Sequence, residues 1–384
     1  MNTNMANCRR NLSAAHPYVY VSYEINSNYG YIAVIDPVQD TIVKRIRVGS
    51  RPGPMCMDPA EEKLFVVNTD SDSVTIIDTN TLKVLNSVHI GNSLYRSYPN
   101  AIFAAPKGDK IYVGHSGDSS VTIIDSVTNE VIKQVEMVPP GIGIPFAFAG
   151  NKNSSYVYVA RTFADLARDR VVAIGIDDDI AHPYGEDIEL NFEPTSNPLA
   201  VHPDGHTQVT LGYNGMLTYF DGDAIGESST SSLLANTVSG VYTDDKRLFC
   251  TMREDRNYLK GIKNLSIDKY GIITYESFVD FPSYKGQDKI RLSRKQLYMG
   301  VTIQPTDFHT GGVQIVDLSE GYRDLVTLPV VGDLAFYSDT KAYVGELNTV
   351  RPIDVATFTV LPAIQIGREN ITVKNLISGY STQS

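Results

Sequence analysis

Only three cysteines, Cys8, Cys56 and Cys250, occur in 384 residues. Three are too few for a disulfide framework, and no two stand at the spacing of zinc ligands. Cys56 and Cys250 fall inside apolar, strand-like runs, where a thiol behaves as a small buried hydrophobe. No run approaches the roughly 18 apolar residues of a membrane-crossing helix. Positive charge is in deficit: 33 Lys and Arg stand against 44 Asp and Glu, a formal net charge of −11. A field of that sign repels a polyanion, so nucleic acid is not an expected partner. The first seventeen residues, MNTNMANCRRNLSAAHP, lack the apolar segment of a secretory signal, and Arg9-Arg10 has no hydrophobic stretch behind it. The expectation is a soluble, cytoplasmic protein with reduced thiols, or an exported one if a leader once preceded this chain.

What is present is an ordinary globular composition, 42 % hydrophobic and 20 % charged, so a large core is available. It is organised by repetition. Residues 64–91 read LFVVNTDSDSVTIIDTNTLKVLNSVHIG and residues 111–135 read IYVGHSGDSSVTIIDSVTNEVIKQV. The phrase Val-Thr-Ile-Ile-Asp recurs intact at Val74–Asp78 and Val121–Asp125. Short β-branched runs punctuated by Gly, Asn, Asp and Ser are the signature of strands and turns. Weaker copies follow, their second strands starting at Tyr18, Leu64, Ile111, Val157, Val209, Leu248, Leu297 and Ala342. A period in the forties suits a unit of four strands. Most third strands end in aspartate, at Asp36, Asp78, Asp125, Asp221, Asp268, Asp317 and Asp354. That placement suits an Asx turn, in which the carboxylate accepts backbone N–H groups.

First strands are visible before most second strands, as in MCMDPAEE at 55–62 and LAVHPDGH at 199–206. The first unit lacks one, and Ile371–Leu376 is left over at the other end of the chain. A ring of sheets has to hide its edges, so that C-terminal strand is expected to complete the first unit. The fold class read from the sequence is therefore all-β: a single closed β-propeller of about eight four-stranded blades, with seven as the alternative. Its domain organisation is a polar tail at 1–17, the propeller at 18–377 and a short tail at 378–384.

The phrases Leu64-Phe65-Val66-Val67-Asn68, Ser73–Asp78 and Ile90-Gly91 resemble the YVTN-family β-propeller repeat of surface-layer-type and periplasmic proteins. The resemblance covers the first three copies, about a third of the chain, while later copies keep the spacing better than the wording. It implies a propeller and no single activity; lactonase-like propellers are more distant relatives. The absence of tryptophan removes the repeat types that depend on it.

Loops on a rigid scaffold carry function, and the mouth of the central channel is the natural concavity. Aligning the copies places Ser22, Asn68, His115, Arg161, Tyr213, Met252, Val301 and Glu346 directly after the second strand. Turn formers alone would be Gly, Asn, Asp and Ser; His115, Arg161, Tyr213 and Glu346 are a different mixture. His115 and Glu346 are proton-transfer candidates and Tyr213 a hydrogen-bond donor. Arg161 and Arg253 would hold an anionic group, with His309, Asn68, Arg96 and Tyr98 as further ligand contacts. The segments 161–170, 251–260 and 300–311 are longer than turn chemistry needs and suggest a recognition rim. His202 and His206 flank a Pro-Asp-Gly turn on the opposite rim and read as turn residues. The lactonase-like propellers imply a central ion held by oxygen-bearing side chains, for which Glu24, Asn68, Asp118 and Glu346 are the available groups. No local spacing singles them out, so neither a metal nor a cofactor is expected. Two functions follow: a propeller binding a small polar or anionic ligand or a protein partner at the channel mouth, or an enzyme (a hydrolase, lyase or cyclase) acting on such a molecule there.

Overall fold

A computed structural model describes residues 18–378 apart from 27, 92–95, 108, 138–142, 163–169, 185–196, 213–215, 222–223, 235–236, 253–260, 269–271, 281–286, 306–310, 320–322 and 368–370. Among the described residues the structure is all-β, with a single 3-10 turn at Thr69–Ser71. The strands form seven four-stranded antiparallel sheets and one further sheet of five strands. In that further sheet the outer strand is broken into two short pieces, Thr359–Val360 and Ile364–Gln365, which both pair with Thr349–Asp354.

Each sheet is a consecutive meander, apart from the first in chain order. There, Val19–Ile25, Tyr29–Asp36 and Thr41–Val48 are joined by Ile371–Ile377, which pairs antiparallel with Val19–Ile25. This is the closure that the unpaired C-terminal run led us to expect. The innermost strands touch in sequence around the ring, from Pro52–Met57 through to Asp333–Phe336, and the C-terminal strand fills the last place between them. Asp333 Oδ2 pins it, accepting the Nδ2–H of Asn375 at 3.1 Å and the N–H of Leu376 at 3.3 Å.

The third-strand phrase is explained by packing on both faces. Side chains alternate along a strand. In Ser73–Asp78, Val74 and Ile76 pack with Ile102 and Val113 of the third sheet. Ile77 packs the other way, with Tyr20 and Val34 of the first. Middle strands are thus buried on both sides, whereas outer strands such as Glu130–Glu136 are exposed except at Val135. Hydrophobic clusters of this kind lie between every pair of neighbouring sheets, including Leu376 with Val19 and Tyr343 at the closure.

The turn aspartates act as the sequence suggested. Asp36 Oδ1 accepts Val38 N–H at 2.7 Å, Asp78 accepts Thr81 N–H at 2.6 Å and Asp125 accepts Val127 N–H at 2.7 Å. Asp317 and Asp354 do the same with Ser319 at 2.7 Å and Thr357 at 2.9 Å. Asp40, Leu82, Asn129 and Phe358 then take positive φ, closing these turns. The pattern is a structural repeat, with no ligand needed to explain it.

Candidate functional site

The second strand of every blade starts at one rim of the ring and ends at the other, so the two ends carry separate chemistry. Counting back five residues from the terminal aspartate of the third strand fixes equivalent positions at the far end. Register places Asn68 opposite Ser73, Arg161 opposite Arg170 and, by its N–H bond to Thr349, Glu346 opposite that residue. His115 occupies the same place in the third sheet, next to Gly114, which pairs with Val121. In the first and seventh sheets the equivalents are Tyr23 and Ile303, so Ser22 and Val301 fall short of it by one and two residues.

These side chains lie over their own third strands. Asn68 Nδ2 donates to Thr75 Oγ1 at 2.9 Å and Ser73 Oγ at 3.2 Å. His115 Nδ1 lies 3.1 Å from Ser120 Oγ and 3.2 Å from Asp118 Oδ1. Glu346 Oε2 accepts from Thr349 Oγ1 at 2.8 Å and Arg351 Nε at 2.7 Å. One backbone position therefore serves three different polar side chains in the same way, as a clamp across the sheet end. Asn68, His115 and Arg161 are fully buried. Burial, then the neighbouring Arg170, lowers the Arg161 guanidinium to about 10.

Arg96 and Tyr98 join the His115 cluster through the connection between the second and third sheets. Arg96 pairs with Asp72 at 3.2 Å and lies over the Tyr98 ring, 4.7 Å from its centroid. Ser97 Oγ donates to Asp118 Oδ2 at 3.1 Å. Burial pushes the Asp118 carboxyl up, but hydrogen bonds from His115, Ser120 and Ser97 outweigh it and hold the group well below the usual carboxylate range. Glu346 belongs to the eighth sheet and has its own partner there. Tyr213, Arg253 and His309 lie outside the described residues.

The channel cavity opens at the other rim, among the turns joining first to second strands. It measures about 560 Å³, within the usual range for small-ligand sites. Every sheet contributes, from Pro59 and Pro106 through Asn151 and Pro203 to Tyr337 and Asn375. The walls mix apolar groups, such as Leu334 and Phe336, with amides and charges. The charged side chains of the wall are Lys152, Arg291, Arg294 and Asp244, three cations to one carboxylate, in a chain of formal charge −11.

Arg291 stands on the inner strand Gln287–Leu292, half-buried. Its Nη1 donates to the carbonyl of its neighbour Ile290 at 3.1 Å. No ion pair to Arg291 is found among the described residues. Arg294 sits in the following turn and pairs with Glu61 of the second sheet at 3.0 Å. Sequence reasoning passed over both, because SRKQ at 293–296 reads as a turn and DKIRL at 288–292 as a strand. The available signal was Arg291 itself, a lone cation near the end of an inner strand where other copies carry Ala200, Val241 or Ala335.

On the same rim, His202 Nδ1 lies 2.8 Å from Asp204 Oδ2, and Asp204 Oδ1 accepts the N–H groups of His206 and Thr207. These are the turn roles assigned to the Pro-Asp-Gly segment. Among the described residues no group of three or more His, Cys, Asp or Glu side chains is arranged to hold a metal ion. No helix among them is long and apolar enough to cross a membrane.

No protein-family profile and no curated protein sequence matches the chain. Its fold does match solved structures. Apo AztD from Citrobacter koseri shares 13 % identity at a TM-score of 0.65, over 95 % of this chain and 98 % of that one. The dihydro-heme d1 dehydrogenase NirN in complex with DHE shares 14 % identity at 0.65, over 97 % of this chain and 76 % of that one. A hypothetical selenium-binding protein from Sulfolobus tokodaii shares 11 % at 0.56, over 96 % and 95 %. At such identities the likeness shows the fold alone, a β-propeller.

Proposed function

We propose that the protein is a binding propeller whose channel cavity takes a small organic anion. The observation that carries this reading is the reversed charge of the cavity wall, three cations to one carboxylate in an acidic chain. Among the described residues the half-buried Arg291 guanidinium has no ion pair, and an anion would complete it. Arg291 would hold the anionic group, and Leu334, Phe336 and Tyr337 would cover an apolar body. Cations set beside apolar side chains in one concavity support binding of such a molecule.

Naphthalene-2-carboxylate is a suitable probe, since it couples an apolar body to one carboxylate. Calorimetric titration should show wild-type binding, about tenfold weaker binding by Arg291→Ala, and weaker binding still of neutral naphthalene-2-methanol. Equal affinity for acid and alcohol would contradict the reading.

A second reading places chemistry at the opposite rim, with His115 as a general base. It is favoured by the contact of Asp118 with His115 Nδ1, which leaves a buried Nε2 without a hydrogen-bond partner among the described residues. Asp–His pairs of that kind fix a tautomer for proton transfer. Glu346, Tyr213, Arg161, Arg253 and His309 would then belong to a separate substrate site. Loss of turnover in His115→Gln, with naphthalene-2-carboxylate binding intact, would favour that reading over the first.

A further inference from the structure

Side-chain contacts between blades join neighbours almost everywhere. Lys110 reaches Asp179 from the third sheet to the fourth, Asn151 reaches His202 from the fourth to the fifth, and Lys341 reaches Asp40 from the eighth to the first. The Arg294–Glu61 pair is different. Arg294 belongs to the seventh sheet and Glu61 to the second, with the eighth and first sheets between them in the ring. The pair therefore spans the channel mouth. Arg294 also lines the cavity beneath.

Both backbones are fixed. Glu61 takes a left-handed φ of 58° in a turn closed by its N–H bond to Asp58 O at 2.9 Å. Its carbonyl accepts the Thr79 hydroxyl at 2.7 Å. Around Arg294, Asp339 Oδ1 accepts the Ser293 hydroxyl at 2.6 Å and the Lys295 N–H at 2.9 Å. Gln296 Oε1 accepts the Asp244 N–H at 2.8 Å. Loops held in this way cannot swing open cheaply, so any opening of the mouth falls to the side chains. The Arg294 side chain is 43 % exposed and that of Glu61 16 %. Water reaches the pair from the Arg294 side, and an ion pair with one exposed member contributes little to stability, so a second carboxylate can compete for it.

We propose that Glu61 is a built-in competitor for the anion-binding channel. In the free protein its carboxylate occupies Arg294 and bars the mouth. An arriving organic carboxylate displaces Glu61 from Arg294 to solvent and is held by Arg291 and Arg294 together, so that the bound ligand and the Glu61–Arg294 pair exclude one another. No bond is made or broken in this exchange; one carboxylate replaces another on a guanidinium. The inference rests on the reading of the cavity as an anion site, and it adds a gate to that site.

The test uses full-length protein and naphthalene-2-carboxylate, followed by calorimetry for affinity and stopped-flow fluorescence for association. Removing the competitor in Glu61→Gln should strengthen binding by about threefold or more and speed association, because the mouth is no longer self-occupied. Arg294→Ala should weaken binding and slow association together, with the melting temperature unchanged as a check that the fold is intact. A Glu61→Gln protein with wild-type affinity and association rate, alongside an Arg291→Ala protein that has lost binding, would overturn the gate and leave the anion site standing. Absence of binding to wild type and Glu61→Gln alike would overturn both.

Discussion

Asp204 illustrates how much of this chain's polar chemistry serves the fold. Burial raises its pKa, but hydrogen bonds from His202, Thr207 and His206 outweigh that and bring the carboxyl to about 2. A carboxyl lowered on folding contributes stability that is fully present above its unfolded value, near 3.9, and is lost as pH falls through the folded value. Asp118, held low by its own hydrogen bonds, acts in the same direction. Chemical denaturation between pH 5 and pH 2 should therefore show falling stability, and Asp204→Asn should flatten that slope. An unchanged slope in the variant would mean that the His202 contact contributes nothing to it. Residues of this type were legible in the sequence as turn formers. The clamps at Asn68, His115 and Glu346 were legible only in position. Register can be counted along the chain, but whether a side chain at the end of a strand turns inward over its sheet or outward to the mouth depends on partners such as Asp118 in the following loop and Arg351 on the next strand.

At the scale of the element, the repeat was the most readable feature, because a strand buried on both faces needs an apolar residue at nearly every position. Val-Thr-Ile-Ile-Asp meets that need and announces its turn with the final aspartate. The outer strand of the eighth sheet was not readable: FTVLPAIQ carries a proline where pairing breaks. Closure was readable as a leftover strand. Its contribution is large, since Ile371–Ile377 supplies the inner strand of the first sheet and buries Leu376 and Ile377. Ending the chain after Gly367 should remove that strand, expose a sheet edge and abolish cooperative thermal unfolding, with aggregation as the visible result. A truncated protein that melts as one transition at the full-length temperature would contradict the closure. The site elements were harder to read. Arg291 and Arg294 look like an ordinary strand and turn until the ring brings eight inner strands around one axis.

For the whole molecule, the two rims have different characters. One ends its strands in buried polar clamps; the other surrounds a cavity of about 560 Å³ whose wall reverses the sign of the protein's net charge. Fold similarity cannot choose between them, because propellers of low sequence identity host unrelated functions. The charge of the wall, Arg291 with no ion pair among the described residues, and the Glu61–Arg294 span all point to the cavity. Crystals soaked in naphthalene-2-carboxylate test this most directly. The account predicts density in the channel, its carboxylate on Arg291 and its rings against Phe336 and Tyr337. Density at the opposite rim beside His115 and Arg96, with the channel empty, would contradict it.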